Sequence, residues 1–115
     1  MSPRAGRRGR ALTPELVTIY WRDIPAQVTA TSGEDRVKVL LDARFQHAID
    51  RAAMVADMSD TQSYVAQWRR DAEPFDGDAQ AAADGAARRV EAAYPPDRLE
   101  AIVRAGGQRI EVDGV

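Results

Sequence analysis

The side chains best suited to chemistry begin with Tyr20-Trp21-Arg22-Asp23. A guanidinium and a carboxylate follow directly on two aromatic rings. Such a pair beside aromatic walls suits an anion or a heteroaromatic ring. The same residues also have a structural use. Arg22 can stack on a neighbouring ring, and Asp23 can accept turn N–H groups ahead of Pro25. The structural use carries more weight, because strand ends commonly hold such turn chemistry. Gln27 has both a donor and an acceptor and could read an amide or pterin-like edge. A solvated strand position is the plainer account of it.

A second group is Arg44, His47, Asp50 and Arg51. On a helix, His47 and Arg51 are i,i+4 and His47 and Asp50 are i,i+3, so the last two can meet. A carboxylate there could orient the imidazole for general-base work. No Ser, Cys or second His stands nearby to complete a nucleophilic set, so no catalytic residue is assigned. The candidate binding residues are Tyr20, Trp21, Arg22, Asp23, Gln27, Arg44 and Arg51.

Metal and phosphate chemistry find little support. One histidine and no cysteine cannot make a tetrahedral zinc site. Asp76-Gly77-Asp78 begins like a calcium loop, but Ala79 and Gln80 supply no further oxygen ligands. Ala105-Gly106-Gly107-Gln108 follows a predicted helix instead of opening one, so it is no phosphate cradle. No cofactor is expected.

These residues need a scaffold, and 115 residues fit one domain, burying roughly two-thirds of the unfolded surface. No apolar run approaches the ~18 residues that span a bilayer. Arg4, Arg7, Arg8 and Arg10 precede no apolar stretch of signal-peptide length. The reading is a bacterial, cytoplasmic protein with residues 1–12 as a disordered basic leader and 13–115 as one domain. The four arginines leave the remainder of a chain of net charge −2 at −6, which opposes phosphate approach and makes nucleic acid an unlikely partner.

From Glu15 to Arg22 the chain is rich in β-branched and aromatic residues, with apolar groups on both faces, as in a central strand. Asp23-Ile24-Pro25 breaks it, and a second strand runs to Thr31. Ser32-Gly33-Glu34-Asp35 turns the chain into a third strand with Val37, Val39 and Leu41 in alternation. The period then changes. Phe45, Ile49, Ala52, Ala53 and Ala56 predict a helix from Ala43 to about Met58 with Asp42 as N-cap. Ser59-Asp60 caps a second helix carrying Tyr64, Val65 and Trp68 and fading near Arg70-Asp71. Trp68 and Trp21 are expected to meet in the core. Glu73 to Asp78 is read as loop. An alanine-rich helix follows from about Ala79 to Tyr94, contributing little burial, and a short helix from Asp97 is stopped by Gly106-Gly107. Residues 108–115 form a weak strand or fray. Strands followed by helices indicate α+β: a small antiparallel sheet of about three strands, two amphipathic helices on one face and a helical extension over 76–105. Its open edges permit dimerisation by pairing.

The run Ile19-Tyr20-Trp21-Arg22-Asp23-Ile24-Pro25-Ala26-Gln27-Val28, with Arg44 to Met54 and Tyr64-Val65-Ala66-Gln67-Trp68, resembles the bacterial "virulence factor" domain family over residues 15–70. The family name describes a phenotype. Relatives look to be encoded beside corrinoid- and tetrahydrofolate-dependent methyl-transfer proteins. The resemblance thus implies a cytoplasmic accessory or interaction domain in one-carbon metabolism, with a protein partner such as a methyltransferase or folate enzyme and no membrane. The alternative it leaves is a small-molecule-binding or enzymatic subunit acting on a one-carbon carrier.

Overall fold

The alternation over residues 15–31 becomes a hairpin in the computed structural model, which describes residues 14–58 and 60–108. β1 (Glu15–Trp21) and β2 (Ile24–Ser32) pair antiparallel from Glu15↔Thr31 to Trp21↔Ile24. The register slips where Ile19 faces Gln27 and Tyr20 faces Pro25, leaving Ala26 unmatched. A bulge falls where Pro25 has no N–H to give the ladder. Beyond it Trp21 and Ile24 are both wholly buried. The Ser32↔Asp35 turn, with Gly33 at φ 63°, delivers β3 (Asp35–Leu40) to the free side of β2.

Helix α1 (Ala43–Val55) starts where Asp42 accepts the Arg44 N–H. After it the expected second helix is cut short. α2 (Thr61–Val65) has five residues, and the chain from Trp68 to Pro74 is a strand, β4, paired along the whole of β1. This corrects the helix expected to fade near Arg70-Asp71 and the loop expected from Glu73. Gln67 N bonds Tyr64 O and Gln67 O accepts the Arg22 N–H at 3.0 Å, so the backbone is turned onto β1 before another helical turn forms. The sheet order is β3-β2-β1-β4, all antiparallel. The fold is α+β, with one strand more than the three expected.

α3 (Ala79–Ala93) and α4 (Pro96–Arg104) complete the described chain. The cover of the sheet differs from the expectation. α2 buries none of its residues, whereas the alanine-rich α3 packs on β2 and β3, α1 on β2, and α4 on α1. Ala79, Ala83, Ala86 and Ala87 are buried. A stripe without long side chains lets α3 approach the sheet closely, so its burial comes from proximity and not from side-chain volume. Facing it, Leu16, Val28 and Ala30 join Phe45 and Ile49 of α1 and Leu99, Ile102 and Val103 of α4 in one core. Val17, Ile19 and Leu40 stand outside that core, and Leu40 is 68% exposed. No helix among the described residues is long and apolar enough to cross a membrane. The basic leader and the weak strand expected after Gln108 lie outside the described residues.

The tight seat of α3 generates a test. Ala83 is fully buried and Ala81 exposed. Ala83→Leu is expected to lower stability by about 1–3 kcal/mol through overpacking, read as a fall in the urea midpoint, while Ala81→Leu leaves the midpoint in place.

Candidate functional site

The β1–β2 turn is two residues long, and its first residue, Arg22, has φ 55°. A side chain rarely takes this left-handed conformation, and glycine is usual at such a turn. Here the side chain and backbone of Arg22 hold it there. Its N–H donates to Gln67 O; its Nε donates to Gln67 Oε1 at 3.2 Å and its Nη1 to Gly106 O at 2.9 Å. Nη2 lies 3.7 Å from Met58 Sδ. The guanidinium sits 5.5 Å from the Trp21 ring centroid. Next to it, Asp23 N–H donates to Gly107 O at 2.9 Å. Gly106 and Gly107 are left-handed (φ 73° and 96°) and end α4 by returning N–H groups to Val103 and Ile102.

Trp21 is wholly buried and donates Nε1–H to Tyr64 O at 2.9 Å. Its ring stacks on Tyr64 at 5.5 Å, and Trp68 meets the other ring edge-on at 6.1 Å. Trp21 and Trp68 are register partners, but Trp68 comes from β4 and not from the expected second helix and is only half-buried, and Tyr64 bridges the two rings.

Tyr20 points to the side of β1 that α3 leaves partly open. It lines a cavity of about 180 Å³ with Thr18, Asp71, Glu73, Ala86, Arg89 and Val90. Arg69 lies 4.3 Å from its ring centroid and donates to Arg22 O and Asp23 Oδ1. Burial, then Tyr94 and Asp71, push the Tyr20 hydroxyl above its ordinary value of 10.0, with Arg69 opposing. Burial and Asp50 do the same for Tyr64, against a hydrogen bond with Gln46. Gln27 pairs with Ile19 and Leu40, on the sheet face away from Val28 and Ala30.

On α1 the arginines are tied to the later helices. Arg44 Nη2 donates to Glu91 O at 2.9 Å and Tyr94 O at 3.2 Å, Nη1 pairs with Asp42, and the group stacks on Phe45 at 4.7 Å. Its Nε is buried with no acceptor among the described residues. Arg51 makes a two-pronged pair with Glu100 at 2.8 and 2.9 Å, and Arg104 approaches the same carboxylate at 3.4 Å. The Arg51 hydrogen bond is the chief reason the Glu100 carboxyl is held below its ordinary range. His47 is exposed, and Asp50 accepts from Gln46 at 3.0 Å. The His47–Asp50 contact that the spacing allows is not among the hydrogen bonds of the described residues; Asp50 leans towards Gln46 and Tyr64. Between α1 and α4 runs a groove of about 340 Å³. Arg44, His47, Ala48 and Arg51 line one side and Pro96, Leu99, Glu100 and Val103 the other. Among the described residues no group of three or more His, Asp or Glu could hold a metal ion.

A family model described as Virulence factor matches residues 19–103. The chain belongs to the virulence factor family. The match takes in α3 and nearly all of α4, past the 15–70 stretch on which the resemblance rests. No curated protein and no solved structure matches the chain.

The virulence factor domain therefore spreads the sequence-derived candidates over three places. Tyr20, Trp21, Arg22 and Asp23 form the turn junction, with Trp21 closed to solvent. Gln27 lies on the far sheet face. Arg44 and Arg51 border the α1–α4 groove. Sequence reasoning missed their partners: Gln67, Arg69, Gly106, Gly107, Glu100 and the groove floor of Leu99 and Val103. The glycine pair after α4 was the one available signal, read only as a helix stop.

Two tests follow from this geometry. A Cβ on Gly107 would stand 2.8 Å from Trp21 Cζ3 and 3.2 Å from Arg22 Cδ, whereas one on Gly85 meets Arg89 Nη1 at an ordinary 3.6 Å. Gly107→Ala is expected to lower the unfolding free energy by about 2–4 kcal/mol. Gly85→Ala, inside α3, should raise it by up to ~1 kcal/mol; urea melts read both. The second test concerns alkali. The folded-state pKa of Tyr20 is raised above its unfolded value, so the native state keeps the proton longer. The contribution is complete below the unfolded pKa and is lost as pH rises through the folded one. Stability should thus fall above about pH 10, and Tyr20→Phe should make that fall shallower.

Proposed function

We propose that this virulence factor domain is a non-catalytic accessory domain that works in the bacterial cytoplasm by holding a partner protein. The observation that carries the reading is the use made of its polar side chains. Arg22 and Arg44, the best anion-binding candidates, spend their donors on Gln67, Gly106, Glu91 and Tyr94 within the chain. Ligand binding by either would first have to break these tethers. Surface apolar groups add support: Met54 and Val55, adjacent at the end of α1, are 79% and 54% exposed, and contiguous exposed apolar groups suit protein contact.

The family resemblance points the partner towards one-carbon metabolism, with a corrinoid- or tetrahydrofolate-dependent methyl-transfer protein as the class to look for. A subunit that binds the one-carbon carrier itself is the second reading. The α1–α4 groove favours it to this extent, that about 340 Å³ is within the range of small-molecule sites.

Native co-purification of the intact chain followed by mass spectrometry tests the first reading; a stoichiometric methyltransferase or folate enzyme is the expected result. Isolation of the chain alone at native expression level would sink it. Titration calorimetry with reduced folates and corrinoids tests the second, where heat from either ligand would displace the accessory reading.

A further inference from the structure

The cavity between the sheet and α3 has walls of opposite charge that do not meet. On β1, Thr18 pairs across to Asp71 of β4, and Leu16 to Glu73. Residues two apart on a strand share a face, so the hydroxyls of Thr18 and Tyr20 and the carboxylates of Asp71 and Glu73 line the cavity of about 180 Å³ together. Ala86, Arg89 and Val90, at i, i+3 and i+4 on α3, line it from the helix side. Ion pairs among the described residues engage Arg44, Arg51, Arg69, Arg70 and Arg104. Asp71, Glu73 and Arg89 make none among those residues, so the Arg89 guanidinium stands too far across the cavity to reach the carboxylates. Arg69 is committed elsewhere, to Asp23 and to the face of the Tyr20 ring. Burial, then Tyr94, raise the pKa of the Tyr20 hydroxyl, and Asp71 and Glu73 add to this against Arg69. Both carboxylates thus lie within electrostatic reach of that hydroxyl.

We propose that this cavity binds a small ammonium carboxylate, a free amino acid, held between the acidic sheet wall and Arg89. The ammonium group donates to Asp71 and Glu73, with the Thr18 and Tyr20 hydroxyls as further acceptors. The carboxylate accepts the two-pronged guanidinium of Arg89, and Ala86 and Val90 receive a short apolar side chain. The walls select this class by charge. An amine alone leaves Arg89 facing a cation, and a carboxylate alone faces Asp71 and Glu73. A ligand carrying both charges supplies the pairing that the side chains do not make across the cavity. Size agrees. About 180 Å³ is below the ~300 Å³ at which drug-sized sites begin, so neither a folate nor a corrinoid fits. The site therefore stands apart from the one-carbon carrier considered above, and it needs no partner protein.

Amide NMR of the isotope-labelled intact chain, titrated with valine, supplies the test. Saturable shifts at Thr18, Tyr20, Asp71, Glu73 and Arg89 are expected. Isobutylamine and isovalerate, which each keep one of the two charges of valine, should bind about tenfold more weakly or worse. Arg89→Gln, and Asp71→Asn combined with Glu73→Gln, are changes at exposed positions and should each weaken valine by a similar factor. Arg88→Gln, at an exposed neighbour outside the cavity lining, should leave its binding unchanged, and matching urea midpoints establish that all three variants fold. Absence of saturable shifts at these positions with valine and every other standard amino acid would overturn the proposal. So would binding of the amine or the acid as tight as that of the amino acid, or a loss on Arg88→Gln equal to that on Arg89→Gln.

Discussion

Arg22 holds a backbone conformation that costs an arginine about 1–3 kcal/mol, and the tertiary structure is arranged around that cost. The turn between β1 and β2 is too short to relax it. What offsets it is a set of bonds to segments distant in sequence: Gln67 ahead of β4, Gly106 after α4 and Met58 after α1. Asp23 adds a bond to Gly107. One hairpin tip thereby fixes where three later elements begin or end. The packing on Trp21 depends on the same arrangement, because Gly107, next to the Gly106 that receives Arg22, comes so close that a Cβ there would stand 2.8 Å from the indole ring.

This constraint decides what the aromatic–charged junction is for. A guanidinium that donates to a backbone carbonyl and a side-chain amide, partly shielded from water, gains more from each bond than an exposed one. A ligand anion would have to compete with all of them together. Arg44 repeats the pattern at the other end of the domain, joining the start of α1 to the end of α3. Arg51 differs from both: its pair with Glu100 lies towards solvent, where an ion pair contributes little to stability.

Much of this was legible in the residues. The alternation of β1 to β3, Asp42 as a cap and Gly106-Gly107 as a stop are each fixed by neighbours a few positions away. At Arg22 and Asp23 the turn itself, and the stacking of Arg22 on a neighbouring ring, were legible for the same reason. Their partners were not, because Gly106 and Gln67 meet Arg22 only through the tertiary fold. The alanines of α3 were misjudged for a related reason. Small side chains carry little apolar area each, and what makes them core residues is how closely the sheet approaches.

The missed strand and the seat of α3 are two sides of one arrangement. α3 packs on β2 and β3 and reaches the half of the sheet made by β1 and β4 only across the cavity that Ala86, Arg89 and Val90 border. Beyond the half-buried Trp68, β4 is an edge strand exposed from Arg69 to Pro74, and Arg69, Arg70, Asp71 and Glu73 suit it, as does the closing Pro74, which blunts the edge against further pairing. A strand built this way cannot show the apolar alternation by which strands are recognised. Tyr20, on the same half, is sheltered further by Arg69, which stacks on the ring while bonding Arg22 O and Asp23. The residue that hides β4 from a reading of periodicity is thus the one that ties β4 to the hairpin turn.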